Sequence, residues 1–158
     1  MRLQILAVGR LKDAVARGLC DDYATRIRRY QKLEIQEARE SGKSDRDAVQ
    51  SRRIEGEALL RLIPSGSRLY TLTRTGRAYS SEELATALER WRADARDVAL
   101  VIGGAHGVDE AVLSRSEGII SLSSMTLPHE IARLVLLEQL YRACTILRGE
   151  PYHKGRGS

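Results

Sequence analysis

Glycine and hydroxyl residues follow three apolar segments of the sequence and offer groups that can bind a ligand. Residues 102–107 read IGGAHG, and the three glycines let the backbone turn sharply and approach a ligand closely. Residues 121–129 read SLSSMTLPH, whose backbone groups can hydrogen-bond a heterocycle, and residues 71–76 read TLTRTG. Ligands bind beyond the carboxyl ends of the strands in open α/β sheets, so these three segments are candidates for ligand binding.

The glycine spacing excludes two common phosphate-binding motifs. Gly103, Gly104 and Gly107 match neither GxGxxG, for which no acidic residue stands at the right distance, nor GxxxxGK[ST]. A plain strand-to-helix turn is the alternative explanation of these glycines. In the third segment, Thr126 can cap a helix that Pro128 starts, and this role is compatible with ligand binding.

Histidine and the chain end supply further polar candidates. His129 stands where the last predicted helix begins, although a lone histidine is more often structural than catalytic. Residues 148–154 read RGEPYHK, in which Tyr152 can stack on a base and Lys154 can contact a phosphate. A frayed basic end is the alternative for this tail.

Arginine dominates the cationic residues. The chain holds 26 Lys+Arg, of which 22 are Arg, against 21 Asp+Glu, for a net charge of +5. Arginine suits bidentate phosphate contacts, although a compositional preference for Arg explains the same numbers. Salt-dependent RNA docking and a solvated helix face are both open for the arginines of two predicted helices, which are Arg26, Arg28, Arg29, Arg52 and Arg53.

Strand-like and helix-like patterns alternate along the 158 residues, which predicts a single α/β domain with a parallel sheet and helices on both faces. Strands are predicted at 3–9, 33–38, 68–73, 97–104 and 118–123, and a loop at 73–80. Helices are predicted at 13–30, 44–63, 80–94, 109–116 and 128–147. Capping-box patterns join Ser44 to Asp47 and Ser80 to Glu83. In the first helix Val15, Leu19, Tyr23, Ile27 and Tyr30 share one face.

Several classes of protein are excluded by composition. No apolar stretch is long enough to span a membrane, and the N-terminal segment lacks the pattern of a signal peptide, so we expect a cytoplasmic protein. Cys20 and Cys144 lie far apart without a further Cys or His cluster, so we expect neither a metal site nor a disulfide framework.

The last predicted helix is apolar around almost its whole circumference from residue 131 to 147, with Glu138, Arg142 and Thr145 as a narrow polar stripe. Such a helix is buried on all sides. Either a second subunit covers it, which predicts a homodimer, or another helix of the same chain does. Arg142 either pairs with Glu138 four residues earlier or is held as a cation at a site.

An ordered set of motifs resembles one family. The segments IGGAHG, SLSSMTLPH, LYRA (140–143) and PYHK (151–154), with LQILAVGRLK (3–12) and ELATALERW (83–91), are similar to the ribosomal RNA large-subunit methyltransferase H family of the SPOUT superfamily. The resemblance covers residues 1–154, with 155–158 as a mobile extension. It implies an α/β domain with a deep C-terminal trefoil knot and a homodimer. It also implies bent S-adenosylmethionine in the knot, and methylation of N3 of a 23S rRNA pseudouridine on assembled ribosomes.

The same resemblance assigns site residues. It implies that the cofactor is bound by Leu72, Gly103, Gly104, Leu122, Ser123, Ser124, Met125, Thr126 and Leu127. It assigns catalysis and target binding to His129, Arg142, Tyr152, His153 and Lys154, with the tail reaching the cofactor site of the partner subunit. Thr73 and His106 stand where the family pattern has acidic or amide residues. The alternatives are a SPOUT methyltransferase for another RNA, such as tRNA, and a non-catalytic RNA- or ribosome-binding module.

Overall fold

Strands and helices alternate along the chain, as the sequence predicts. The computed structural model describes residues 1–42 and 45–154, with backbone alone at Asp45 and His153. The predicted cap Ser44 and the extension 155–158 lie outside the described residues. Short 3₁₀ helices occupy Asp45–Asp47 and Pro151–His153. The longer elements are β1 (Arg2–Val8), α1 (Ala14–Ile27), β2 (Lys32–Ala38), α2 (Ala48–Leu62), β3 (Arg68–Ala78), α3 (Ser81–Asp94), β4 (Val98–Ile102), α4 (Glu110–Arg115), β5 (Gly118–Ser121) and α5 (His129–Arg148).

A parallel sheet forms the centre of the fold. Within residues 1–42 and 45–154 it has five strands in the order β2-β1-β4-β3-β5, and every pair is parallel. Leu3 and Ile5 of β1 face α1, α3 and α5, while Leu6 and Val8 of the same strand face α2 and α4. This alternation follows from the two-residue period of a strand. The predicted parallel sheet with helices on both faces is confirmed.

The strand β3 is longer than the sequence indicates. Residues 73–78, predicted as part of a loop, continue β3 because they pair a second time with β5: Ile120 lies opposite Leu72 and again opposite Arg77. A Cβ atom on Gly76 would lie 2.6 Å from the carbonyl carbon of Ile120. Gly76 therefore allows a close approach of two backbones, which a loop prediction based on glycine content misses.

Helix boundaries follow capping chemistry with one correction. Asp13 caps α1 by accepting a hydrogen bond from Ala16 N at 2.8 Å, and the predicted capping box of Ser80 and Glu83 opens α3. The prediction that Thr126 caps the last helix with Pro128 as its first residue is wrong. Pro128 is the N-cap itself, because its backbone is extended and its carbonyl accepts the first helical hydrogen bond, from Ala132 N at 2.9 Å.

The last helix, α5, packs against α1 and α3 of the same chain. Leu137, Leu140 and Cys144 are fully buried, and so is Thr145, which the sequence placed in a polar stripe. The intramolecular alternative therefore accounts for most of the apolar circumference of α5. Ile131 keeps an exposed flank, at 42% of its surface.

An apolar strip remains exposed on α1. Val15 and Leu19, which the sequence placed on one face with Ile27, are 72% and 44% exposed, while Cys20, Ala24 and Ile27 form the buried face. The predicted face is therefore wrong at Val15 and Leu19 but confirmed at its other members, since Ile27 is buried and Tyr23 and Tyr30 pack against the core. No helix in the described part of the chain combines the length and apolar character needed to cross a membrane.

Candidate active site

A cleft of about 1070 Å³ opens beside residues 72–74 in the middle of β3 and at the carboxyl end of β4. The segment between β5 and α5 forms its third side. The predicted cofactor residues converge here from separate parts of the chain. Ser124 is the exception, because it is not among the residues that line the cleft. Those that do are Leu72, Gly103, Gly104, Leu122, Ser123, Met125, Thr126 and Leu127.

Packing and backbone conformation explain the glycines of the loop after β4. A Cβ atom on Gly103 would lie 2.6 Å from Val108 Cγ2, and one on Gly104 would lie 2.7 Å from Glu55 Oε2. Gly107 adopts a φ of +86° and donates its N–H to Gly104 O at 3.1 Å. The tight-turn explanation is therefore sufficient for these glycines, and the same turn brings the backbone to the cleft wall.

Unused backbone donors lie in the segment between β5 and α5. The N–H groups of Ser124, Thr126 and Leu127 form no hydrogen bond within the described residues, whereas Met125 N donates to Ser123 Oγ at 3.0 Å. Leu122 and Leu127 are half-buried beside these groups. Apolar side chains next to free amides are the combination that binds a heteroaromatic ring by its faces and its edge.

His129 is the predicted catalytic residue that the chain places at its own cleft. Its ring lines the cleft, and Nε2 is shielded from solvent without a hydrogen-bond partner among the described residues. A buried ring nitrogen without a partner is costly, which suits a nitrogen that a substrate completes. Thr73 and His106, the two departures from the family pattern, also line the cleft.

Helix α2 contributes residues that the sequence did not assign to this site. Val49 and Arg52 line the cleft, and Arg52 Nη1 donates to His106 O at 3.3 Å. Val49 and Arg52 reach the cleft because α2 packs closely on the start of α4 at Gly56. A Cβ atom added to Gly56 would lie 2.6 Å from the Cβ atom of Asp109. No local signal marks these contacts, because they depend on how α2 and α4 pack on the same face of the sheet.

The remaining predicted catalytic residues lie at the other end of α5. Arg142 donates to Glu138 Oε1 from Nε at 3.1 Å and from Nη2 at 2.6 Å, so the predicted pairing alternative is realised. Its guanidinium carbon lies 5.1 Å from the ring centre of Tyr152, whose hydroxyl donates to the same oxygen of Glu138 at 3.1 Å. Lys154 is exposed, and the side chain of His153 lies outside the described residues.

The surroundings raise the pKa of both Arg142 and Tyr152. The hydrogen bond to Glu138 raises the pKa of Arg142, so the guanidinium stays charged. Burial, and then the hydrogen bond to Tyr23, raise the pKa of Tyr152, so its phenol stays neutral. At 1.5 Å per residue, the thirteen steps from His129 to Arg142 correspond to about 20 Å along α5. One chain therefore does not bring its own Arg142 to its own cleft.

Comparison with known proteins gives the family. The model of a family described as "Predicted SPOUT methyltransferase" matches residues 1–153. A protein named ribosomal RNA large subunit methyltransferase H, from Anaeromyxobacter sp. (strain Fw109-5), is 48% identical over 154 residues, which cover 98% of this chain and 100% of the relative. The chain belongs to the ribosomal RNA large subunit methyltransferase H family. Another methyltransferase H, from Syntrophotalea carbinolica, is 45% identical and covers 97% of this chain and 99% of its own.

The fold of this methyltransferase H chain is similar to that of solved structures with low sequence identity. A probable methyltransferase from Bordetella pertussis Tohama I superposes with a TM-score of 0.55 at 18% sequence identity, covering 90% of this chain and 96% of its own. A probable methylase family protein from Haemophilus influenzae Rd KW20 also gives 0.55, at 12% identity, covering 95% of this chain and 69% of its own. The resemblance to the methyltransferase H family is thus confirmed by sequence, and the likeness at low identity extends to fold alone.

Proposed function

We propose that the protein transfers the methyl group of S-adenosylmethionine to N3 of a pseudouridine in 23S rRNA, with the assembled ribosome as substrate. The observation that carries the proposal is the convergence of the predicted cofactor residues, together with His129, on one cleft. The names of the relatives support the large ribosomal RNA as target. A ribosomal substrate is consistent with the expected cytoplasmic location.

The cleft fits the cofactor in size and chemistry. Its volume of about 1070 Å³ accommodates a nucleoside-sized ligand. The apolar side chains of Leu72 and Leu122 would hold the adenine, and the free amides between β5 and α5 would bind its edge. When bound, S-adenosylmethionine supplies an electrophilic methyl group on a sulfonium sulfur. Alignment of that group with the target is the main task left to the protein.

The target nitrogen must lose its proton when it gains the methyl group. His129 Nε2, shielded and without a partner in the described part of the chain, can take that proton when the ring is neutral. A guanidinium near the target pseudouridine would stabilise the anion that forms on the pseudouridine ring when its proton is removed. Arg142 remains charged, and we assign it this role together with Tyr152, His153 and Lys154 of the tail.

A homodimer in which each active site takes its tail from the other subunit reconciles these roles with the geometry. The separation of about 20 Å between His129 and Arg142 along α5 supports it, because one chain does not join the two. The exposed side chains of Val15, Leu19 and Ile131 on α1 and α5 supply apolar area for an interface. A two-fold axis then builds two equivalent sites.

The trefoil knot belongs to the same proposal. Its support is the double pairing of β3 around Ile120 and the close approach of Gly76 to β5. Ser121 Oγ adds to this contact, since it lies 3.2 Å from Arg74 O. Close contacts of this kind between β5 and a bend of β3 are what a threaded segment would require.

A panel of substrates tests the proposed function. Calorimetry first measures binding of S-adenosylmethionine, and transfer of a radiolabelled methyl group is then followed to bacterial 70S ribosomes, free rRNA and tRNA. We expect transfer to ribosomes and a product that mass spectrometry locates at N3 of a pseudouridine. Transfer to tRNA instead would identify another RNA target. Cofactor binding without transfer to any of these RNAs would contradict catalysis and favour the RNA-binding module.

A further inference from the structure

A second cavity, of about 390 Å³, lies between α1, β2 and the first turns of α5. Its walls combine arginine side chains with a small apolar floor, and we call it the arginine cavity. Its basic residues are Arg10, Arg17, Arg28 and Arg133, its acidic residues are Asp21 and Glu37, and the floor comprises Leu11, Cys20, Ala24 and Ile35.

Arg133 is fixed at the base of this cavity. The side chain is 2% exposed, Nη1 donates to Glu37 Oε1 at 2.5 Å, and Nη2 donates to Gly9 O at 2.8 Å. Nε has no partner within the described residues. The ion pair with Glu37 compensates the charge of Arg133, so the cation excess of the cavity comes from the other arginines.

These other arginines are uncompensated. The side chains of Arg10 and Arg17 form neither a hydrogen bond nor an ion pair within residues 1–42 and 45–154, and Arg28 donates from Nε to Leu33 O at 3.3 Å without a carboxylate partner. By contrast, Arg26 pairs with Asp22 at 2.7 Å and Arg53 with Glu57 at 3.5 Å, so two of the arginines proposed for RNA docking already have carboxylate partners. A surplus of guanidinium groups around a concave site favours an anion, and guanidinium matches phosphate in geometry.

The arginine cavity lies on the flank of α1 that a dimer would leave open. Arg17, Asp21 and Arg28 are spaced four and seven residues apart and therefore share one side of the helix. Val15 and Leu19 lie on the opposite side, where we place the dimer interface. Burial of the apolar flank therefore leaves the arginine flank accessible to a large substrate.

We propose that the arginine cavity binds a backbone phosphate of the RNA substrate and so fixes the RNA relative to the methyl-transfer cleft. The inference rests on the proposed function for the identity of the RNA. His129 at the cleft and Arg133 at the cavity are four residues apart on α5, about 6 Å along the helix axis. A strand whose base enters the cleft therefore passes the arginine cavity with its backbone.

The double variant Arg17→Ala/Arg28→Ala tests this site. Both side chains are exposed, so we expect the fold and the affinity for S-adenosylmethionine to be retained. Cosedimentation with bacterial 70S ribosomes over a salt series should show an affinity about 10- to 100-fold lower, and the slope of log K against log salt should fall by about 1 to 2. The matched control is Arg61→Ala/Arg90→Ala, which also removes two exposed arginines, and it should keep the wild-type slope.

Two further measurements are informative. One distinguishes an RNA phosphate from a free phosphate ion, and the other distinguishes the phosphate site from the proposed methyl-transfer reaction. Millimolar inorganic phosphate should raise the melting temperature of the wild type and not that of Arg17→Ala/Arg28→Ala. An unchanged salt slope in this variant would overturn the RNA site, and loss of the phosphate effect alone would reassign the cavity to a free anion. If the wild type binds ribosomes with an arginine-dependent slope but transfers no methyl group, the proposed reaction fails while the phosphate site stands.

Discussion

His129 and Arg133 lie one turn apart on α5 and line two different cavities, the proposed methyl-transfer cleft and the arginine cavity. The first turn of α5 thus separates the proposed chemistry from the proposed backbone contact. The last turns of the same helix hold Arg142 against Glu138 and Tyr152. One helix therefore fixes the spacing of every predicted catalytic side chain that the structure describes, apart from those of the tail.

Removing the imidazole at the cleft should impair proton removal. We expect His129→Ala to lower single-turnover methyl transfer to ribosomes by about 100-fold or more, the effect typical of a general base. The affinity for S-adenosylmethionine, measured by calorimetry, should change little. Arg90→Ala, on the exposed surface of α3, serves as the control and should retain the wild-type rate. A rate for His129→Ala near that of the wild type would exclude the imidazole as the base.

Mixing two inactive variants should restore activity if the sites are composite. His129→Ala and Arg142→Ala subunits, refolded or exchanged together, form heterodimers in which one of the two sites has both wild-type residues. Random exchange then predicts about a quarter of the wild-type activity. The rate is compared with that of each variant alone at the same total concentration. Recovery no greater than the sum of the separate variants would show that each chain completes its own site.

Adding a methyl group to the loop after β4 should weaken cofactor binding. In Gly103→Ala the new Cβ would lie 2.6 Å from Val108 Cγ2 and 2.9 Å from Gly107 O, so the loop must shift at a cost of about 1–3 kcal/mol. We expect the affinity for S-adenosylmethionine to fall about tenfold or more by calorimetry. Gly18→Ala is the matched control: Gly18 has open space around it on α1, and alanine there should stabilise the helix by up to about 1 kcal/mol. Equal cofactor affinity in both variants would contradict the packing argument.

Alkaline pH should loosen the base of the tail. Tyr30 donates its hydroxyl to Glu150 Oε2 at 2.6 Å, and this bond, followed by burial, raises the pKa of Tyr30 from 10.0 to about 12. Because the pKa is raised on folding, the bond stabilises the folded chain below about pH 10, and this contribution is lost as the pH rises toward about 12. Absorbance at 295 nm should show a transition near pH 12 that is absent from Tyr30→Phe. In Glu150→Gln that transition should move toward pH 10, and an unmoved transition would contradict the assignment.

Local pattern predicted the elements well where packing agrees with propensity. The Ser80–Glu83 capping box, the short apolar strands and the long last helix are all confirmed. The extension of β3 through Gly76 was missed because a glycine chosen for close backbone approach has the same sequence signature as one in a loop. Only the first half of the predicted α1 face was misplaced, because Cys20 and Ala24 carry a weak hydrophobic signal beside the larger Val15 and Leu19.

The residues of the candidate site were likewise predictable from sequence where they follow local motifs, and not where they depend on tertiary packing. Motifs next to strand ends could be assigned to the cleft, because parallel strands bring their carboxyl ends together. The contribution of Val49 and Arg52 to the cleft depends on the packing of α2 beside the loop after β4. The spacing of residues in the sequence does not predict this packing. The arginine cavity was likewise hidden, since Arg10, Arg28 and Arg133 come from distant parts of the chain.

Because α5 runs unbroken from His129 to Arg148, its length fixes the distance between the cleft and the tail. Inserting one residue in its middle would rotate Arg142 and the tail by about 100° and move them about 1.5 Å relative to His129. Even a modest change in helix length would therefore misalign both ends at once, in both subunits of the proposed dimer. Side chains on the surface of α5 have room to vary, but the length of the helix does not.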